Sequence, residues 1–271
     1  WLRRSIQARR AWRACSIFSP AIEPEVSITS VTFIGGRSSL VIVSLATASW
    51  TGTPLRGILQ AAGPDAGAVE VVFEGADHGP YYQYTDLQFI RSLPFDLIMD
   101  PAADVLVAYE MNGEPLNADH GAPFRMIVPH WFGVASVKWL SKIEVVTKPY
   151  EGEFQTAHYM YEWPDRPHEP VDVMLVRARI TDPDPGATIA NRPYTIRGKA
   201  WSGSGPVTKV EISFTGEGEW FAAELSSADA PATWQDWSYE WTPGKTGRFS
   251  IRARATDAAG NVQPDVPPWN R

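Results

Sequence analysis

Short apolar runs separated by polar turns dominate the middle of the first half of the chain. The runs VLVA at 105–108 and FRMIV at 124–128 are rich in strand-forming side chains. Asn112-Gly113 lies between them, and both residues tolerate the positive φ that the centre of a type I′ turn requires. The sequence therefore predicts two strands with a tight turn between them, and further strand material follows at 137–146.

The residues ahead of this stretch predict strands and a helix. β-branched residues are frequent between 27 and 44, which favours one or two strands. Residues 50–63 predict a short loop and then an amphipathic helix, because Leu55, Ile58 and Leu59 fall on one helical face.

A strand, a loop and a second helix are predicted before residue 100. The alternation in VEVVF at 69–73 indicates a strand that ends near Asp77. The sequence HGPYYQYTDLQ at 78–88 contains glycine and proline, and it predicts a loop. Residues 89–100 then predict a short helical stretch.

The second half of the chain has the pattern of an all-β sandwich. Ile251, Ala253 and Ala255 alternate with polar neighbours, which predicts one buried face and one solvated face. Turn sequences rich in glycine and proline separate short apolar runs at regular spacing. The runs are VMLVRARI (173–180), YTIRGKA (194–200), KVEISF (209–214), WSYEW (237–241) and FSIRARAT (249–256).

Composition and charge argue against several classes of partner. The chain has 271 residues and a net charge of −7, which disfavours nucleic acid or an anionic membrane as the main partner. No apolar run has the length of a membrane span. Residues 1–14 contain five arginines and no acid, which predicts a basic amphipathic helix or the remains of a targeting segment. They lack the continuous apolar core of a secretory signal.

Three residues with cationic or hydrogen-bonding heads lie in the predicted strand unit. His120, Arg125 and Lys138 can converge on an anion, and Arg125 offers a planar fork of donors suited to phosphate. Each also has a simpler structural interpretation. His120 can be a loop hydrogen-bonder, Arg125 can pair with an acid, and Lys138 can pack its stem on Trp139.

Two pairs of motifs carry a resemblance to a known family. MNGEPLNADHGAPFR (111–125) and ASVKWL (135–140) closely resemble the molybdopterin-binding domain of the sulfite oxidase family. AWSGSGPVTKVEISF (200–214) and ATDAAGNVQPDVPPWN (255–270) resemble the immunoglobulin-like dimerisation domain that follows it.

This resemblance implies an α+β chain with two domains. A mixed α/β molybdopterin-binding oxidoreductase domain is expected at residues 46–168. An all-β immunoglobulin-like dimerisation domain is expected at 169–271. Residues 1–45 do not match the family pattern and form an atypical or truncated N-terminal segment.

The resemblance also implies a set of cofactor-binding residues. Asp77 would accept hydrogen bonds from the pterin ring, although an acid at this place can also be a simple turn former. Ser136 and Val137 would act largely through backbone groups, as loops near anions often do. The full set is Asp77, His120, Arg125, Ser136, Val137 and Lys138.

A tyrosine is implied on the substrate side. Tyr159 lies where the family places a tyrosine that faces the metal, and its phenol can hydrogen-bond an oxyanion or help to manage protons. We therefore assign it a catalytic role, with Tyr161 as the neighbouring competitor and a buried aromatic in a connector as the simpler interpretation.

The metal ligand is the part of the family pattern that this sequence lacks. The family places a cysteine thiolate on molybdenum in a Cys-x-Gly-Asn-Arg type motif ahead of the position of Trp50. Cys15 is the only cysteine, lies further upstream and is followed by Ser-Ile-Phe. We therefore assign no metal ligand, and expect either a truncated or frame-shifted reading of the gene or a genuine loss of the ligand.

The implied function is that of a molybdenum-molybdopterin oxidoreductase that oxidises sulfite to sulfate by oxo transfer. An external electron acceptor such as a cytochrome and a homodimer are expected. Trp234, Trp237 and Trp241 are candidates for exposed interface anchors or for the sandwich core. The missing cysteine motif favours, as an alternative, a cofactor-binding or inactive scaffold. A nitrate-reductase-like relative is a further alternative, since nitrate reductases have the same domain pair.

Overall fold

The chain forms two compact units of mainly antiparallel strands. In the computed structural model, one unit comprises residues 1–172 with 268–271, and the other comprises 173–267. The structure describes residues 5–7, 28–35, 42–163, 166–215, 218–227, 233–265 and 269–270. Cys15 and most of the arginine-rich segment lie outside these residues.

In the described part of the first unit, the strands form three sheets. One has the strand order β1-β9-β4-β5, a second has the order β2-β3-β6-β7 with β8 also paired to β6, and the third contains β10 and β11. The strands are β1 (Ser5–Gln7), β2 (Ile28–Gly35), β3 (Ile42–Pro54), β4 (Glu70–Tyr81), β5 (Tyr84–Pro94), β6 (Leu106–Met111), β7 (Glu114–Pro115), β8 (Arg125–Ile127), β9 (Leu140–Val146), β10 (Met160–Glu162) and β11 (Glu169–Pro170).

Two α-helices accompany these strands among the residues that the structure describes. Helix α1 spans Leu55–Ala62 and α2 spans Phe95–Met99. Short 3₁₀ segments lie at Pro101–Ala103 and Gly133–Ala135, and a π-helical turn lies at Glu153–Ala157. Helix α1 buries Leu55 and Leu59, which confirms the predicted apolar face.

Four local predictions were wrong because strand pairing extends beyond the local pattern. Residues 50–54 end β3 and pair with β6, whereas a loop was predicted. The predicted loop at 78–88 and the predicted helix at 89–94 are arms of the β4–β5 hairpin, whose pairing includes Phe73 with Arg91. Ser5–Gln7 pairs with β9, so no helix forms at those three residues.

The Asn112-Gly113 turn has the predicted geometry. Its φ values are 55° and 80°, both in the left-handed region. It connects β6 to β7, and the amide of Ser49 donates to Asn112 Oδ1 at 3.0 Å. The turn thereby fixes the register of β6, against which β8 and Arg125 lie.

Over its described residues, the second unit is a sandwich of two antiparallel sheets. Their orders are β12-β13-β17-β16 and β15-β14-β18. Trp237 and Trp241 are 2% and 8% exposed and fill its core, so they are not exposed anchors, whereas Trp234 is half-buried. The strands are β12 (Arg177–Asp182), β13 (Tyr194–Trp201), β14 (Val207–Ser213), β15 (Phe221–Ala222), β16 (Glu224–Leu225), β17 (Gln235–Trp241) and β18 (Arg252–Asp257).

The predicted fold class is confirmed. An α+β unit with little helix precedes an all-β sandwich. The final strand, β19 (Trp269–Asn270), belongs to the first unit and pairs there with β10. The core of the first unit packs α1 against Phe73 of β4, Met126 of β8 and Val137. This core positions three of the predicted cofactor residues: Asp77 within β4, Arg125 at the start of β8 and Lys138 just before β9. β4 continues to Tyr81, so the prediction that this strand ends near Asp77 was wrong.

Candidate functional site

Arg125 is a buried cation that joins two loops. It lies in β8 and is 1% exposed. Nη1 donates to the carbonyl of His120 and Nη2 to the carbonyl of Ser136, both at 3.1 Å. Its guanidinium lies 4.8 Å from the ring centroid of Trp50, and burial lowers its pKa to about 10. Arg125 therefore stays charged at neutral pH and holds the two loops together.

Lys138 lies beside the two loops that Arg125 joins. Its Nζ donates to the carbonyl of Asp119 at 3.1 Å and lies 4.0 Å from the ring centroid of Trp139. Burial lowers its pKa, and the charge of Arg125 lowers it further, while Asp77 and Asp119 oppose the shift. The contact with Trp139 is therefore made by the ammonium group, whereas the simpler interpretation expected the aliphatic stem to pack there. The ammonium has three N–H donors, so donors remain for a ligand.

Trp139 links the segments that carry these groups, and sequence reasoning missed its role. Its φ is 48°, so the strand predicted at 137–140 begins only at Leu140, because a residue in the left-handed region interrupts an extended chain. The amide of Ala76 donates to the Trp139 carbonyl at 2.8 Å, and the Trp139 indole donates to the carbonyl of Ala118 at 2.7 Å. A tryptophan directly after the candidate lysine was the only sequence signal.

Asp77 follows the strand segment that Ala76 anchors. A Cβ placed on Gly75 would lie 2.2 Å from Asp77 Oδ1 and 3.0 Å from the carbonyl of Lys138. The carboxylate therefore folds back over Gly75 toward the Lys138 segment. Burial raises its pKa, although a backbone hydrogen bond and the charges of Lys138 and His78 lower it. Such a carboxylate is available as an acceptor for N–H groups of a ligand.

His120 is joined to Arg125 through its backbone carbonyl. Its amide donates to Asn117 Oδ1 at 2.9 Å, and its side chain is exposed. The next residue, Gly121, has φ 96°, and a Cβ there would lie 2.9 Å from Lys138 Cβ. Only glycine allows this close approach of the loop to Lys138.

Ser136 and Val137 are engaged within the chain. Ser136 Oγ accepts from the amide of Val128 at 3.1 Å, and its carbonyl accepts from Arg125. The carbonyl of Val137 accepts from the amide of Met126 at 2.8 Å, and its side chain is buried. Both residues therefore fix the place of Lys138.

Asp77, His120, Arg125 and Lys138, which we call the Lys138 cluster, thus meet around one segment. Cationic donors and a partly desolvated carboxylate lie side by side, an arrangement that suits a ligand with an anionic end and a ring bearing N–H groups. A molybdopterin has both features, so the residues fit this cofactor. Among the described residues, no group of three or more His, Cys, Asp or Glu side chains can hold a metal ion.

Tyr159 belongs to a second group of contacts, the Tyr159 cluster of Arg91, Phe154, Tyr159 and Val171. The Tyr159 and Phe154 rings are 6.3 Å apart, and the amide of Val171 donates to the Tyr159 carbonyl at 2.7 Å. Burial raises the pKa of the Tyr159 phenol, and the charge of Arg91 opposes this shift. Sequence reasoning missed Arg91, whose signal was a cation within the apolar run from Phe89 to Leu93.

Replacing Asp77 by asparagine is expected to stabilise the cofactor-free chain and to weaken pterin binding. Since folding raises the pKa of Asp77 above 3.8, the unfolded chain binds fewer protons, and stability falls as pH rises through that window. The asparagine variant lacks this loss, so its advantage grows from pH 3 to pH 7. This difference in free energy of unfolding is measured by urea unfolding of both proteins, purified from a host that makes no molybdopterin. The role of Asp77 would be contradicted if the variant exceeded the parent by the same free energy of unfolding at both pH values and the loaded variant kept its full pterin content.

Comparisons with known proteins match both halves of the chain. The family described as oxidoreductase molybdopterin binding domain matches residues 37–154, and the Mo-co oxidoreductase dimerisation domain matches 168–271. Mitochondrial sulfite oxidases of Rattus norvegicus and Homo sapiens are each 35% identical over 245 residues, covering 84% of this chain and 44% of the relative.

Other similar proteins are named for different reactions. A nitrate reductase [NAD(P)H] of Betula pendula is 33% identical over 256 residues, covering 83% of this chain and 28% of that protein. The crystal structure of the sulfane dehydrogenase SoxCD from Paracoccus pantotrophus matches with a TM-score of 0.72 and 27% identity, covering 89% of this chain and 63% of that one. The chain thus spans less than half the length of these curated relatives. Over the residues that are described, none of the helices has the length and apolarity to cross a membrane.

Proposed function

This chain belongs to the sulfite oxidase family, and on that basis we propose that it oxidises sulfite to sulfate with a bound molybdenum cofactor. The observation that carries the proposal is the Lys138 cluster, where donors and an acceptor suited to molybdopterin meet around Trp139. Sulfite oxidase relatives at 35% identity support the substrate.

The residues of the cluster would hold the cofactor by its two chemically different ends. Lys138 and His120 would donate to the phosphate, with the buried charge of Arg125 below them. Asp77 would accept from the N–H groups of the pterin. When bound, the cofactor supplies the two-electron redox change and the oxygen-atom transfer of the reaction.

The overall reaction determines which oxyanion, protons and electrons the rest of the site must bind or transfer. Sulfite and water give sulfate, two protons and two electrons, and the electrons pass to an external acceptor such as a cytochrome. Tyr159, half-buried and near the positive charge of Arg91, would donate a hydrogen bond to the bound oxyanion. Its phenol would thereby orient sulfite and help to move the released protons.

Replacing Tyr159 by phenylalanine is expected to lower kcat/KM for sulfite by about 10–100-fold, because a hydrogen bond to a charged group contributes about 1.5–3 kcal/mol. Steady-state kinetics with an artificial electron acceptor measures this effect. Tyr161→Phe is the matched control and should retain activity, because Tyr161 packs against Phe132 and Trp163. Equal losses in both variants would argue against a specific role for Tyr159.

The proposal is tested by expression in a host that makes molybdenum cofactor. Molybdenum and pterin are measured in the purified chain, followed by sulfite-dependent reduction of an artificial acceptor. Bound cofactor with sulfite-dependent reduction supports the proposal, and absence of molybdopterin overturns it. Cofactor without sulfite turnover favours the scaffold alternative, which the atypical surroundings of Cys15 motivate.

A nitrate-reducing activity is the second candidate, because nitrate reductases are among the relatives. Reduction of nitrate by the chemically reduced protein, without oxidation of sulfite, would favour it. We also expect a homodimer, since the second half matches a dimerisation domain. A monomer in light scattering would contradict this expectation.

A further inference from the structure

Arg91 is the most deeply buried charge near the candidate catalytic tyrosine. It lies in β5, is 1% exposed, and its guanidinium reaches across to two other segments. Nη1 donates to the carbonyl of Phe154, and Nη2 donates to the carbonyl of Val171 at 2.9 Å. We propose that Arg91 is the positioning residue for Tyr159, fixing the backbone on both sides of it and placing a positive charge beside its phenol.

The two carbonyls that Arg91 holds belong to the segments that bracket Tyr159. Phe154 lies in the π-helical turn that ends just before His158, and the amide of His158 donates back to the carbonyl of Glu153 at 2.8 Å. On the other side, the amide of Val171 donates to the Tyr159 carbonyl at 2.7 Å. The guanidinium of Arg91 therefore joins the segment before Tyr159 to Val171, whose amide pairs with the Tyr159 carbonyl.

Tyr159 needs such support because its backbone is strained. Its φ is 58°, in the left-handed region that a bulky side chain rarely adopts. Strained conformations persist where the surrounding structure over-determines them, and they cluster at functional sites. Arg91 supplies contacts on both sides of this residue, whereas a side chain with a single donor atom cannot bridge the two carbonyls in the same planar geometry.

The charge of Arg91 acts on the phenol as well. Burial raises the pKa of Tyr159 and lowers the pKa of Arg91 to about 10, and the two groups each counter the shift of the other. Asp172 also favours the charged form of Arg91. The other titratable groups packed at this place include Glu153 and His158, whose side chains lie 3.0 Å apart, and Tyr81, whose ring contacts Phe154. Tyr84 is a further one, because its hydroxyl donates to Glu153 Oε2 at 2.7 Å.

One nitrogen atom of Arg91, Nε, can donate to a ligand. This atom is buried and has no hydrogen-bond partner in the part of the chain that the structure describes. Buried donors without partners are uncommon in native proteins and call for a functional explanation. A cationic donor next to a tyrosine phenol suits an oxyanion held at Tyr159, so this inference rests on the proposed function for its role in turnover.

The test measures Tyr159 itself, without turnover. The full chain is labelled with ¹³C-tyrosine, the Tyr159 resonance is assigned with Tyr159→Phe, and its titration is followed by NMR. Arg91→Met removes the charge at similar length, and we expect the ionisation constant of Tyr159 to fall by at least about tenfold, as for the loss of a nearby opposite charge. Arg91→Lys keeps the charge and should retain most of the parental titration.

Arg254→Met in the second unit is the matched control. Its guanidinium pairs with Glu211 at 2.9 Å and stacks 4.1 Å from the ring centroid of Trp220, so the variant also loses an ion pair and a ring contact. The Tyr159 titration should be unchanged there. A folded Arg91→Met protein in which Tyr159 titrates as in the parent would overturn the inference.

A second readout separates position from charge and covers the case in which Arg91→Met does not fold. In Arg91→Lys the fork is lost, so hydrogen exchange of the Val171 amide, which donates to Tyr159, should accelerate by at least about tenfold. Parental exchange at Val171 would overturn the positioning role. Both readouts are independent of sulfite, so a chain with the expected shifts but no sulfite oxidation would refute the proposed function alone.

Discussion

Arg125→Met is expected to abolish cofactor retention and to lower the free energy of unfolding of the first unit by about 3 kcal/mol. Arg125 donates to the carbonyls of His120 and Ser136 at 3.1 Å from a position that is 1% exposed. Hydrogen bonds from a charged donor contribute about 1.5–3 kcal/mol each, and relief from burying the charge offsets part of that sum. Without the fork, the His120 loop separates from the segment that carries Lys138.

Pterin content and urea unfolding measure the two effects of Arg125→Met. Arg125→Lys should recover part of the stability and little of the cofactor, because one ammonium cannot bridge both carbonyls in the same geometry. Arg254→Met serves as the control, with its guanidinium in an ion pair in the second unit. A stable Arg125→Met protein that still purifies with full pterin would show that Arg125 does not organise the site.

Gly121→Ala is expected to reduce cofactor affinity by roughly 10–100-fold, while Gly113→Ala leaves it unchanged. Both glycines have positive φ, 96° and 80°, so both substitutions share the cost of placing a Cβ in that region. At Gly121 the new Cβ would lie 2.9 Å from Lys138 Cβ and 3.1 Å from the amide nitrogen of Trp139. Overpacking of this kind costs about 1–3 kcal/mol and pushes the loop away from Lys138.

The pair of glycines makes this a controlled measurement. Nothing lies within 4 Å of the position that a Cβ on Gly113 would take, so Gly113→Ala reports strain alone. Retained molybdopterin is quantified for both variants together with their thermal unfolding. If Gly113→Ala lost as much cofactor as Gly121→Ala, backbone strain rather than the contact with Lys138 would explain the loss.

Several local errors of sequence interpretation share one cause. Residues 78–88 contain glycine and proline and predicted a loop, yet they pair across the β4–β5 hairpin with register shifts near His78 and Tyr81. Arg91 lies in a stretch predicted as helical and is a strand residue paired with Phe73. In both cases hydrogen bonds to a neighbouring strand outweigh a weak local preference.

The sequence alone determined the features that depend on neighbouring residues. Asn112-Gly113 specified its turn, the spacing of Leu55 and Leu59 specified the buried face of α1, and alternation in the second half specified a sandwich. The ordered motifs around His120, Arg125 and Lys138 indicated the family, which both matched domains bear out. Whether these residues bind the cofactor in this chain stays a prediction.

Only the tertiary structure decided which side chains meet. Ala76 and Ala118 are far apart in sequence, and they come together because Trp139 accepts from one and donates to the other. The same holds for Arg91, whose partners Phe154 and Val171 lie in segments that no local pattern connects to β5. Such contacts form when the core of the first unit closes, since charge and periodicity fix what a residue can do but not which distant group it faces.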